Sequence, residues 1–158
     1  MGAGEQFFSS FVDELNRSET RHVFLRGHGV FPSIAPGSDV DMLVHPRDRG
    51  SVESAFRRIA GELGFHVWQR CRSGFLTRIF AYAVLRYFAE ELKGQHVFID
   101  FDIHTSEASF GIPYLTAESL LELSVERGGL RCLPPAIEAA VNGLGHLFMG
   151  GEIPTKYH

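Results

Sequence analysis

The stretch Gly37-Ser38-Asp39-Val40-Asp41-Met42-Leu43-Val44 decides how this chain is read. A Gly-Ser turn leads into a run in which carboxylates alternate with apolar residues, the pattern of a β-strand with one face turned to a core. Period two sets Asp39 and Asp41 on the same face. Two like charges side by side are costly unless a cation or a shared proton compensates them. Hard divalent cations bound through oxygen do so, and Mg²⁺ keeps several waters and completes its shell with substrate phosphates.

A second stretch, His96-Val97-Phe98-Ile99-Asp100-Phe101-Asp102-Ile103-His104, alternates in the same way. Val97, Ile99, Phe101 and Ile103 are expected to face the core, with His96, Asp100, Asp102 and His104 on the other side. As a neighbouring strand it supplies a third carboxylate from Asp100, Asp102 or both. Three acids on adjacent strands can hold two cations that activate a hydroxyl, neutralise a triphosphate and stabilise departing pyrophosphate in an in-line displacement. The competing reading is a solvated acidic face, the ordinary use of such residues. His45, His96 and His104 run in phase with the acids, which also admits a transition metal held by imidazole and carboxylate together. No H-x-x-x-H or H-E-x-x-H spacing accompanies them, so surface histidine is the default expectation.

Working outward, Glu5–Arg17 carries Phe7, Phe8, Phe11, Val12 and Leu15 at helical spacing, which predicts an amphipathic helix packed on a sheet. His22–Arg26 reads as a short strand followed by a loop punctuated by Gly27, Gly29, Pro32, Pro36 and Gly37. Ser51 is expected to cap a helix reaching about Leu63, with Gly64 as its stop. His66–Cys71 and Arg78–Leu85 read as further strands, and Arg70 and Arg72 alternate on the first of them, as triphosphate contacts or as a solvated face. Thr116 is expected to cap a helix through Leu120, Leu121 and Leu123, and Pro134-Pro135 to open a last helix through Val141, Leu144 and Phe148.

The length of 158 residues fits one domain, with 44% hydrophobic and 22% charged residues, as in ordinary globular chains. Fifteen basic residues against nineteen acidic give a formal charge of -4, which argues against a nucleic-acid partner. Cys71 and Cys132 lack metal-site spacing and read as reduced structural thiols. The acidic start M-G-A-G-E-Q-F-F lacks the basic region of a signal peptide, and no apolar run is long enough for a membrane span, so a cytoplasmic protein is expected.

Together, Leu25-Arg26-Gly27 ending a strand, Gly37-Ser38-Asp39-Val40-Asp41 about ten residues on, and Ile99-Asp100 on a later strand resemble the nucleotidyltransferase superfamily with the polymerase-beta-type fold. The agreement covers about residues 5 to 104. Residues 111 to 150 form a helical C-terminal part that resembles poorly characterised bacterial nucleotidyltransferase-like domains. The resemblance implies an α+β fold, with a mixed, mostly antiparallel sheet, helices on one face and C-terminal helices beyond. It also implies Mg²⁺, with Mn²⁺ as a substitute, held by Asp39, Asp41, Asp100 and Asp102, the first three also catalytic. Gly27, His28, Gly37, Ser38 and Arg26 would meet the nucleotide. His28 departs from the family, which has Gly or Ser there; an imidazole can donate to phosphate but narrows the backbone approach.

The expected activity is transfer of a nucleoside monophosphate from a nucleoside triphosphate to a small-molecule or protein hydroxyl. The alternative is a catalytically silent domain of this fold serving as a nucleotide sensor or protein-interaction module. The expectation is either a minimal enzyme, with an acceptor site built by its C-terminal helices or a partner subunit, or one piece of a longer protein; a homo-oligomer is also admitted.

Overall fold

The computed structural model describes residues 2–26, 31–33, 39–72, 84–91, 98–109 and 112–150. In chain order these form α1 (Ala3–Arg17), β1 (His22–Phe24), β2 (Asp39–Val44), a 3₁₀ turn (Pro46–Asp48), α2 (Arg49–Glu62), β3 (Phe65–Arg72), β4 (Val84–Glu91) and β5 (Phe98–His104). There follow β6 (Ser106–Ser109), β7 (Ile112–Thr116), α3 (Ala117–Glu122), β8 (Val125–Arg127), β9 (Leu130–Cys132) and α4 (Pro135–Gly150).

Five strands lie in the order β3-β4-β5-β2-β1, and the β8-β9 hairpin extends the sheet beyond β1 through the parallel pair Phe24 and Cys132. The β1-β2, β3-β4 and β4-β5 pairs are antiparallel, whereas β2 and β5 run parallel. A separate two-stranded sheet pairs β6 with β7. The fold is thus α+β with a mixed sheet, the coarse architecture that the resemblance implies. Among the described residues no helix is long and apolar enough to cross a membrane.

One face of the sheet is covered by α1 and α2. Phe7, Phe8, Phe11, Val12 and Leu15 are all buried there, together with Val52, Phe56, Ile59 and Ala60 from α2. The sheet meets them with Val40, Met42 and Val44 of β2 and with Ile99, Phe101 and Ile103 of β5. Phe101 is central: its ring lies 5.3 Å from Phe11, 5.4 Å from Phe56 and 5.5 Å from Phe8, each edge to face. Such pairs contribute beyond the area they bury. Alternation then turns Asp39, Asp41, Asp100 and Asp102 away from this core. The opposite face is covered more thinly, where Val23, Leu25 and Leu43 pack with Ala117 and Leu120 of α3 and Val141 of α4.

Several boundaries differ from the sequence expectation, each for a physical reason. Helix α2 begins at Arg49, so Ser51 lies inside it and does not cap it. The preceding Pro46–Asp48 turn already follows a helical path, and Asp48 is held by the Arg21 fork, with Nε to Oδ2 at 2.7 Å and Nη2 to Oδ1 at 2.9 Å. The strand expected over Arg78–Leu85 is seen as Val84–Glu91, and residues 78–83 lie outside the described residues. Gly64, at φ +78°, ends α2 as expected, and Thr116 caps α3 by accepting the Ser119 N–H.

Candidate metal centre

The parallel pairing of β2 with β5 sets Asp39 opposite Asp100, Asp41 opposite Asp102 and Leu43 opposite His104. Paired residues share a face, so the four carboxylates form two rungs, and His104 stands one rung further along. The rungs differ in burial. The Asp39 side chain is 37% exposed and Asp100 is half-buried, whereas Asp41 and Asp102 are buried. A solvated acidic face does not account for the Asp41–Asp102 rung.

Arg26 lies just beyond β1, the strand that pairs with β2. Its Nε donates to Oδ2 of Asp41 and its Nη2 lies 3.9 Å from Oδ2 of Asp39, so one guanidinium spans both acids. The other oxygen of Asp41, Oδ1, faces Nε2 of His104 at 3.6 Å. Burial alone would raise the pKa of Asp41, but the facing imidazole of His104 and the guanidinium of Arg26 outweigh it and hold the carboxyl down at about 2. Asp41 is therefore an anion at any physiological pH.

Asp41, Asp102 and His104 each offer one donor atom, and these atoms lie within 4.8 Å of one another. Of the residues singled out in the sequence, Asp39, Asp41, Asp100 and Asp102 come together with Arg26 on one sheet face. Gly27, His28, Gly37 and Ser38 lie outside the described residues, as does His96. The departure concerns His104, expected at the surface. Its side chain is 16% exposed and turned to Asp41. His45 is similarly tucked in, with Nε2 3.4 Å from Glu118 of α3. The phase of His104 with the acids is the one signal the sequence carries of its position.

Carboxylate oxygens from two strands are the hard donors Mg²⁺ requires, so the residues fit that cation. Across the sheet, position 86 of β4 pairs with Asp102, and position 70 of β3 pairs with position 86.

No protein-family model and no curated protein matches the chain. Among solved structures it is similar to JHP933 from Helicobacter pylori, with 14% identity and a TM-score of 0.48 over 96% of this chain. The chain spans 59% of the length of that structure.

Proposed function

We propose that this chain is a Mg²⁺-dependent nucleotidyltransferase of the polymerase-beta-type fold, moving a nucleoside monophosphate from a nucleoside triphosphate to a hydroxyl acceptor. The observation that carries the reading is the register of β2 on β5, which pairs Asp39 with Asp100 and Asp41 with Asp102. The resemblance of the Gly37-Ser38-Asp39-Val40-Asp41 stretch supports it independently.

Asp39, Asp41 and Asp100 would hold Mg²⁺, with Asp102 beside them; bound there, the cation supplies charge neutralisation for the triphosphate and acidifies the acceptor hydroxyl. Asp41, fixed as an anion by Arg26 and His104, provides a constant negative anchor. Asp100, less buried than its strand neighbour Asp102, takes up the acceptor proton as the hydroxyl oxygen bonds to the α-phosphorus. The bond from that phosphorus to the α,β-bridging oxygen breaks, and pyrophosphate leaves with the bonding electrons. Arg26, half-exposed, exchanges part of its hold on the acids for a phosphate oxygen. The net charge of -4 favours an acceptor that is not a nucleic acid.

The test is pyrophosphate release from each of the four nucleoside triphosphates in the presence of Mg²⁺ and a panel of sugars, aminoglycosides and proteins. Release is expected with at least one pairing and should vanish in Asp41→Asn. Release undiminished in that variant would overturn the site. Silence across the panel with tight capture of a protein partner would replace the enzyme by the interaction module.

A further inference from the structure

We infer that the buried end of the acid face, Asp41, Asp102 and His104, is a mixed nitrogen and oxygen site that selects a first-row transition dication over Mg²⁺. This rests on the metal-dependent reading above and names the cation of its inner rung.

Three observations carry it. First, the donors that converge within 4.8 Å are Asp41, Asp102 and His104, whereas the more exposed Asp39–Asp100 rung contributes no atom to that group. Second, Nε2 of His104 and Oδ1 of Asp41 stand 3.6 Å apart, beyond normal hydrogen-bond length. Two donors each about 2.1 Å from one cation at a tetrahedral angle would be separated by about 3.4 Å, so a single ion can sit between them with little movement. Third, both carboxylates are buried and His104 nearly so, which leaves little water to complete a shell. Mg²⁺ gives up its waters reluctantly and prefers oxygen, while a first-row transition ion accepts imidazole nitrogen with carboxylate oxygen and gains from it.

The parallel register builds this arrangement. Asp41 and Asp102 occupy one rung, and His104 lies two residues along β5 on the same face, opposite Leu43. Leu43 itself packs with Ala117 and Leu120 of α3. Arg26 holds the remaining oxygen of Asp41 and fixes its rotation.

Calorimetric titration of chelator-treated protein with MnCl₂ and, separately, MgCl₂ tests the selectivity. The wild type is expected to bind Mn²⁺ at least about tenfold more tightly than Mg²⁺. His104→Gln, checked for folding by circular dichroism, should lose most of that preference while its Mg²⁺ affinity changes less than about twofold. A second measurement needs no variant: pulsed electron paramagnetic resonance of the Mn²⁺-loaded wild type should show coupling to a histidine nitrogen, altered by ¹⁵N-histidine labelling. Equal affinities for the two cations, or the absence of nitrogen coupling, would overturn the mixed site and leave the all-oxygen reading standing. Failure of the wild type to bind either cation would overturn both.

Discussion

Asp41 shows how one residue can be both buried and charged. Its two oxygens face different partners, with Arg26 bonded to Oδ2 and His104 turned to Oδ1, and together these overcome the burial that would otherwise protonate it. Because its pKa falls to about 2 in the folded protein from about 4 in the unfolded chain, its ionisation stabilises the fold at pH above 4. That stabilisation is lost as pH falls through 2. The unfolding free energy of the wild type relative to Asp41→Asn should therefore rise by about 2 kcal/mol between pH 2 and pH 5, measured by urea titration. His22 has the opposite chemistry. It is buried, its Nδ1 lies 2.8 Å from the Thr20 carbonyl, and since a carbonyl only accepts, Nδ1 carries the proton and Nε2 is a bare lone pair. Among the described residues nothing hydrogen-bonds that nitrogen. Burial lowers the His22 pKa, only partly offset by the Thr20 carbonyl. The fold holds the neutral form, so stability is highest above about pH 6.5 and is lost below that value as the unfolded chain takes up a proton the folded one refuses. Urea midpoints at pH 7 and pH 5.5 should fall more for the wild type than for His22→Asn, which keeps the donor to Thr20.

At the scale of elements, β5 is the strand on which core and site are joined. Phe101 packs into the ring cluster of α1 and α2, and by alternation its neighbours Asp100 and Asp102 are forced to the other face. A one-residue slip would drive both acids into the phenylalanine cluster, so the apolar side fixes the register of the acidic side. Phe101→Ala should lower the unfolding free energy by about 3–5 kcal/mol in denaturant titration, whereas Phe101→Leu should cost far less. This coupling is also why β2 and β5 are legible in the sequence: acidic and apolar residues alternate over Asp39–Asp41 and Ile99–Ile103, and an apolar run completes β2. The β8-β9 hairpin was not readable that way, because β8 is Val-Glu-Arg with all three residues exposed. Its one signal was Gly128-Gly129, which take φ values of +60° and +85° in the two-residue turn. The start of α2 is not legible locally because its determinant, the Arg21 grip on Asp48, spans 27 residues of sequence. The burial of His104 is not legible in the sequence, because strand phase gives a side chain its face but not its depth; it is 16% exposed and turned to Asp41.

At the scale of the molecule, the sheet divides two kinds of work. The face under α1 and α2 is a dense aromatic core, while the face under α3 and α4 shares its area between a small apolar cluster and the acid rungs. The second face therefore gathers four carboxylates, with the Arg26 guanidinium beside two of them. A cation arriving there neutralises charge in the native state and has no comparable site in the unfolded chain, so binding adds directly to folding stability. At a free concentration one hundred times its dissociation constant, Mn²⁺ should raise the unfolding free energy by about 2.7 kcal/mol. The urea midpoint should rise accordingly, return to its starting value when chelator is added, and stay unchanged in Asp41→Asn. An equal rise in that variant would mean the cation binds elsewhere on the acidic surface, and the acid rungs would then be a structural burden without a ligand.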